Sequence, residues 1–262
     1  ESWLVVFSQG LSPNSQIALR RRHEYAGLVL FTSATVEALR ERVSTERADL
    51  LQAVIDEGAV VRSFPVDNEY RLLVRVIGPL CGYYAALREL HTLRPAAIPL
   101  DLDPVLQADG PLCADGVDAL AADWFDGVEF TFTNTAAEYA QNLTSKVVEG
   151  VFQPQPIVRE AFHFAHGPFQ QNCAGPRPQW IFTSADPAES KLADLLEPLL
   201  GQLDRPRRRI TAPVAGPRAI FAYEILANRV LLHAVRERKI DQVDWPGKGR
   251  DALLYQIDHP AD

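Results

Sequence analysis

Trp3-Leu4-Val5-Val6-Phe7-Ser8-Gln9-Gly10-Leu11-Ser12-Pro13-Asn14 is the stretch on which the reading of the fold turns. Its first five residues are a continuous apolar run, the pattern of a strand buried on both faces in a parallel sheet. A turn follows at once. Ser12 is a good N-cap, and Pro13 suits the first helical position because its φ is fixed and its missing N–H would be unpaired there anyway. The helix is expected to run through Ile17, Ala18 and Leu19 to Arg20-Arg21-Arg22, whose cations favour the negative end of the helix dipole.

The same rhythm continues downstream. Gly27-Leu28-Val29-Leu30-Phe31 reads as a second buried strand, 35–55 as a helix, Val60-Val61-Arg62-Ser63-Phe64 as a third strand and 68–93 as a long helix. Strand alternating with helix predicts a right-handed, doubly wound α/β layer with a parallel sheet. Residues 94–126, rich in Pro, Asp and Ala, read as a connecting helical segment. Val128-Glu129-Phe130-Thr131-Phe132 then starts a second series. A helix is expected over 135–152, strands at Trp180-Ile181-Phe182 and Arg209-Ile210-Thr211, and a last helix over about 218–237. The two halves repeat one order of elements, so a tandem pair of similar domains is expected, 1–108 and 109–262, the second including the connecting helix and a C-terminal tail.

At 262 residues and 47% hydrophobic, the chain can bury one large core or two modest ones. No apolar run approaches the roughly 18 residues of a membrane span, and no secretory signal precedes the first strand. A net charge of −8 argues against nucleic acid as a partner, though not against a local pocket for one small anion. Cys81, Cys113 and Cys173 are isolated and lack metal-ligand spacing, which points to a reduced, cytoplasmic setting. In that setting Asn142-Leu143-Thr144 is a chance sequon.

Ligands of open parallel sheets sit at the C-terminal edges of the strands, where loops lead into helix N-termini. Ser8, Gln9, Gly10 and Ser12 lie at such an edge. Two readings are open there: a capped strand–turn–helix junction, or an anion cradle of first-turn N–H groups and serine hydroxyls. Lys146 and Glu149 are three apart and share a helix face. Apolar neighbours on both sides make that face a candidate cleft lining, although a solvated salt bridge is the ordinary role of such a pair. Lys is scarce here, with only Lys146, Lys191, Lys239 and Lys248 among 26 basic residues. His166 precedes Gly-Pro, which places it in a loop. His163 lies three residues earlier, but no carboxylate or Cys completes a ligand set, so no metal is expected. Neither a P-loop nor a Gly-x-Gly-x-x-Gly fingerprint is present, and no cofactor is expected.

Taken together, Ser8-Gln9-Gly10-Leu11-Ser12, Lys146-Val147-Val148-Glu149 and His166-Gly167-Pro168 resemble the sugar isomerase (SIS) domain family. The resemblance is to its tandem members, related to the isomerase half of glucosamine-fructose-6-phosphate aminotransferase. It implies two tandem SIS-type domains, each a three-layer α/β/α sandwich, the first truncated at its N-terminus. It further implies that Ser8, Gln9, Gly10 and Ser12 hold a sugar phosphate and that Glu149 moves a proton between adjacent carbons. His166 would assist ring opening in a neighbouring subunit's site, making the protein a homodimer, and Lys146 would lie near the reacting carbons. A C-terminal segment closes the site in relatives, which makes Lys248, in Trp245-Pro246-Gly247-Lys248-Gly249-Arg250-Asp251, a possible tail contact.

The sequence also departs from the family pattern. The usual segment is Ser-x-Ser-Gly, and aligning its glycine on Gly10 puts Phe7 at the first serine. The family's preceding phosphate-gripping loop would fall before Glu1, and Asn68-Glu69-Tyr70-Arg71-Leu72-Leu73 replaces a small-residue stretch. The expectation is therefore a phosphosugar isomerase, or a deaminase or deglycase, acting on a hexose phosphate or amino-sugar phosphate. The alternative is a non-catalytic phosphosugar-binding regulatory module.

Overall fold

The computed structural model describes residues 2–64, 66, 72–107, 113, 115–164 and 167–250. The chain divides into two compact units, one of Glu1–Ala97 with the segment from Val243 onward, the other of Ile98–Gln242. The boundary expected at 108/109 lies outside the described residues.

In the first unit three strands, β1 (Trp3–Phe7), β2 (Gly27–Thr32) and β3 (Val60–Ser63), form a parallel sheet in the order β1-β2-β3. The intervening helices are α1 (Pro13–Arg20), α2 (Val36–Arg42) and α3 (Thr45–Asp56), and α4 (Ile77–Leu93) follows β3. Leu4, Val6, Leu28 and Leu30 pack with Leu19, Leu39, Leu51 and Val54 from these helices into one apolar cluster. Alternation along β1 sends Trp3, Val5 and Phe7 to the opposite face, where each is more than half exposed. Burial of β1 on both faces is thus not observed. β1 is the edge of its sheet, and Phe7 lies stacked on Phe31 with ring centroids 4.6 Å apart.

The helix expected over 35–55 is two helices. Thr35 caps α2 by accepting the Ala38 N–H at 3.1 Å. The N–H groups of Val43 and Ser44 both turn back to the Leu39 carbonyl, at 3.0 and 2.9 Å, which closes α2 before α3 starts. α4 begins later than expected, at Ile77; residues 68–71 of the anticipated helix lie outside the described residues.

The second unit contains α5 (Asp103–Leu106), α6 (Val117–Phe125), β4 (Glu129–Phe132), α7 (Ala140–Val151), β5 (Ile157–Glu160), α8 (Ala161–Phe164), α9 (Pro168–Ala174), β6 (Gln179–Thr183), α10 (Pro187–Leu200), β7 (Arg207–Thr211) and α11 (Ala219–Arg238). Its sheet is parallel throughout, in the order β5-β4-β6-β7. Every residue of β4 and β6 is buried, as central strands of a parallel sheet require. Phe132 stacks on Phe182 at 4.5 Å, and Tyr223 meets both rings edge-on. Sequence reading missed β5. Its Ile157-Val158-Arg159-Glu160 follows two prolines and holds only two apolar residues; it is a strand because β4 offers it a pairing edge.

Candidate phosphate site

The loop between β1 and α1 is fixed from several sides. The Ser8 N–H donates to the Phe31 carbonyl at 2.9 Å. The Ser8 hydroxyl oxygen accepts the Ser12 N–H at 3.2 Å. Ser33 and Thr32, at the end of β2, both donate to the Gln9 carbonyl, at 2.8 and 3.4 Å. Gly78 in the first turn of α4 leaves room for the Gln9 amide, which any Cβ at that position would overlap. Ser8, Gln9, Gly10 and Ser12 are thereby brought together at the C-terminal edge of the sheet.

Ser12 occupies the N-cap of α1, but its hydroxyl lies 3.0 Å from the Ser15 hydroxyl and makes no capping bond. The first turn of α1 therefore has no side-chain cap among the described residues.

The left-handed residue of the loop is Leu11, with φ 52°, and not Gly10. Leu11 tolerates the conformation because its side chain is fully buried and its carbonyl accepts the Gln16 amide at 3.0 Å. A neighbour absent from the sequence reading completes the loop: Arg47 of α3, whose Nη1 donates to the Gly10 carbonyl at 3.4 Å.

In the second unit, Lys146 and Glu149 both lie on α7. Lys146 is buried, and its Nζ lies 2.6 Å from Glu224 Oε1 of α11, itself fully buried. Tyr139 donates its hydroxyl to the same carboxylate, and the Asn142 amide donates to it at 3.0 Å. That contact occupies the side chain of the sequon asparagine. Lys146 therefore does not line an open cleft; its ammonium ties α7 to α11. The one sequence signal for this was a single charge, Glu224, amid the apolar face of α11. Glu149 is half-buried, and its carbonyl and that of Gly150 accept the Gln242 amide at 3.1 and 2.9 Å. His166 lies outside the described residues. Lys248 is exposed and locally engaged: its Nζ donates to the Val243 carbonyl at 2.5 Å and sits 4.7 Å from the Trp245 ring centre.

At the C-terminal edge of the second sheet the side chains bond to one another. The Asn134 amide donates to Glu189 Oε2 at 2.9 Å and to the Tyr223 hydroxyl at 3.1 Å. Tyr223 in turn donates to the Thr183 carbonyl at 2.8 Å, and burial raises its pKa above the ordinary phenol value. Among the described residues no group of three or more His, Cys, Asp or Glu could hold a metal ion, and no helix is long and apolar enough to cross a membrane.

No family model matches the sequence, and no curated protein matches it. Solved structures do match in fold. Tagatose-6-phosphate ketose/aldose isomerase from Escherichia coli superposes with a TM-score of 0.62 at 13% identity, over 92% of this chain and 70% of that one. The C-terminal domain of glucosamine-fructose-6-phosphate aminotransferase from Francisella tularensis gives 0.60 at 12% identity, over 94% and 73%. This chain has the phosphosugar isomerase fold. Glucosamine-6-phosphate deaminase from Thermotoga maritima shares it, with a TM-score of 0.53 at 13% identity, over 94% of this chain and 74% of that one. Within the phosphosugar isomerase fold, the Ser8–Ser12 loop occupies the strand-end position at which parallel sheets take ligands.

Proposed function

We propose that this protein binds a sugar phosphate through its first unit and acts on it as a phosphosugar isomerase, or as a related amino-sugar-phosphate deaminase or deglycase. The observation that carries the reading is the Ser8–Ser12 loop, where a serine hydroxyl, a sharp left-handed turn and an uncapped helix N-terminus meet at the end of a parallel strand. Those are the donors a phosphate ester needs. The two units are read as tandem SIS-type domains. Glu149 is the proton-transfer group: a carboxylate can take a proton from one sugar carbon and return it to the next as the enediolate collapses. His166, outside the described residues, is read as the acid–base for ring opening in a partner subunit's site, which makes the active form a homodimer. The isolated spacing of Cys81, Cys113 and Cys173 along the sequence accords with a reducing, cytoplasmic setting.

The test is a thermal-shift screen with glucose 6-phosphate, fructose 6-phosphate and glucosamine 6-phosphate, followed by product analysis of whichever binds. Glu149→Gln should keep binding within about threefold while lowering turnover at least about a hundredfold. Undiminished turnover in that variant sinks the catalytic assignment. One observation favours the non-catalytic alternative, a phosphosugar-binding regulatory module. The Lys146 ammonium, which the resemblance puts beside the reacting carbons, is buried against Glu224. A module of that kind shifts in melting temperature with ligand and yields no product.

A further inference from the structure

We propose that Arg47 is the cationic clamp of the Ser8–Ser12 loop and selects a dianionic phosphate ester over neutral or singly charged ligands. This rests on the phosphosugar reading of that loop and adds to it a residue that the sequence reading did not single out.

Arg47 lies in the first turn of α3 and is half-buried. Its contact with the Gly10 carbonyl uses one of five guanidinium donors. Nearby arginines are neutralised: Arg20 by Glu46, Arg21 by Glu24, Arg22 by Glu57 and Arg40 by Asp49. Arg47 has no carboxylate partner among the described residues. It also sits at the wrong end of its own helix, since a cation in the first turn opposes the dipole. An anion beside it would relieve both conditions.

The place of that charge is informative. Gly10 brings no side chain to the loop, and the Arg47 guanidinium reaches its carbonyl. A guanidinium offers paired donors and a full charge matched to phosphate oxygens. A clamp of this kind ties recognition to the ligand's second negative charge.

The test is titration calorimetry on the full chain with fructose 6-phosphate, inorganic phosphate and fructose, at pH 5 to 8 and at several salt concentrations. Wild type should bind fructose 6-phosphate, more tightly as pH rises through the second phosphate ionisation near 6, and should not bind fructose. Arg47→Ala should weaken fructose 6-phosphate binding by about tenfold to a hundredfold and flatten the pH and salt dependence. Arg47→Lys should recover part of the loss, and millimolar guanidinium ion should partly rescue the alanine variant. A purely structural role for Arg47, as donor to the Gly10 carbonyl, would leave the pH and salt dependence of binding as in wild type. Arg47→Gln, with circular dichroism on each variant, covers the case in which the alanine variant folds poorly. Binding within twofold of wild type in the folded variants, with the pH dependence intact, overturns the clamp while leaving the phosphosugar reading standing. Failure of wild type to bind either phosphate overturns both.

Discussion

The buried pair Lys146–Glu224 gives a quantitative test of how the second unit is held together. At 2.6 Å, with side-chain exposures of 1% and 0%, the two charges attract by about 6 kcal/mol at an effective dielectric constant of about 20. Desolvating both ions offsets most of that gain. Removing one partner is a different matter, because the other is left charged or forced neutral inside the α7–α11 contact. Lys146→Met leaves the Glu224 carboxylate to the Tyr139 hydroxyl and the Asn142 amide. Glu224→Gln leaves an ammonium facing an amide. Each single change should cost about 3–5 kcal/mol, or about 10–15 °C in melting temperature for a unit of this size. The double variant Lys146→Met, Glu224→Leu replaces both charges by apolar groups and should be more stable than either single variant, giving a coupling energy above about 2 kcal/mol. Urea unfolding followed by Trp fluorescence suits the experiment, because Trp124 and Trp180 are buried in this unit whereas, in the other, Trp3 is largely exposed and Trp245 half-buried. Additive single effects, or single losses below about 1 kcal/mol, would refute the argument that an interior ion pair links α7 to α11.

Leu11 offers a second test, since burial and backbone strain oppose each other there. Leu11→Gly should lose about 2–3 kcal/mol: the side-chain loss of a fully buried leucine less about 1 kcal/mol of relieved strain. Leu11→Ala keeps the strain and should be less stable than Leu11→Gly by about 1 kcal/mol in urea unfolding, the reverse of the usual Ala–Gly order. Gly78→Ala places a methyl group on the Gln9 amide. Because that amide is the mobile end of a side chain, the melting temperature should move by only a few degrees, while fructose 6-phosphate affinity measured by calorimetry should fall severalfold.

Much of the fold was legible because parallel strands announce themselves. Val29-Leu30-Phe31 and Trp180-Ile181-Phe182 are apolar runs bounded by turn residues, and both are central strands. β5 was not legible, since an edge strand with Arg159 and Glu160 carries no such run. The Ser8–Ser12 loop was legible as a strand–turn–helix junction. The missing Ser12 capping bond and the left-handed conformation of the buried Leu11 were not, because both follow from packing.

The sequence by itself determined the alternation of strand and helix, the place of the candidate cradle at the end of β1, and the pairing of Lys146 with Glu149 on one helix. These follow from periodicity and capping, which act over a few residues. Tertiary structure alone decided that Lys146 faces Glu224, that Asn134 bonds to Tyr223 and Glu189 at the edge of the second sheet, and that Arg47 reaches Gly10 from a helix 37 residues along the chain. Those contacts depend on which side chains the folded chain brings within a few ångströms, and no local pattern encodes that distance.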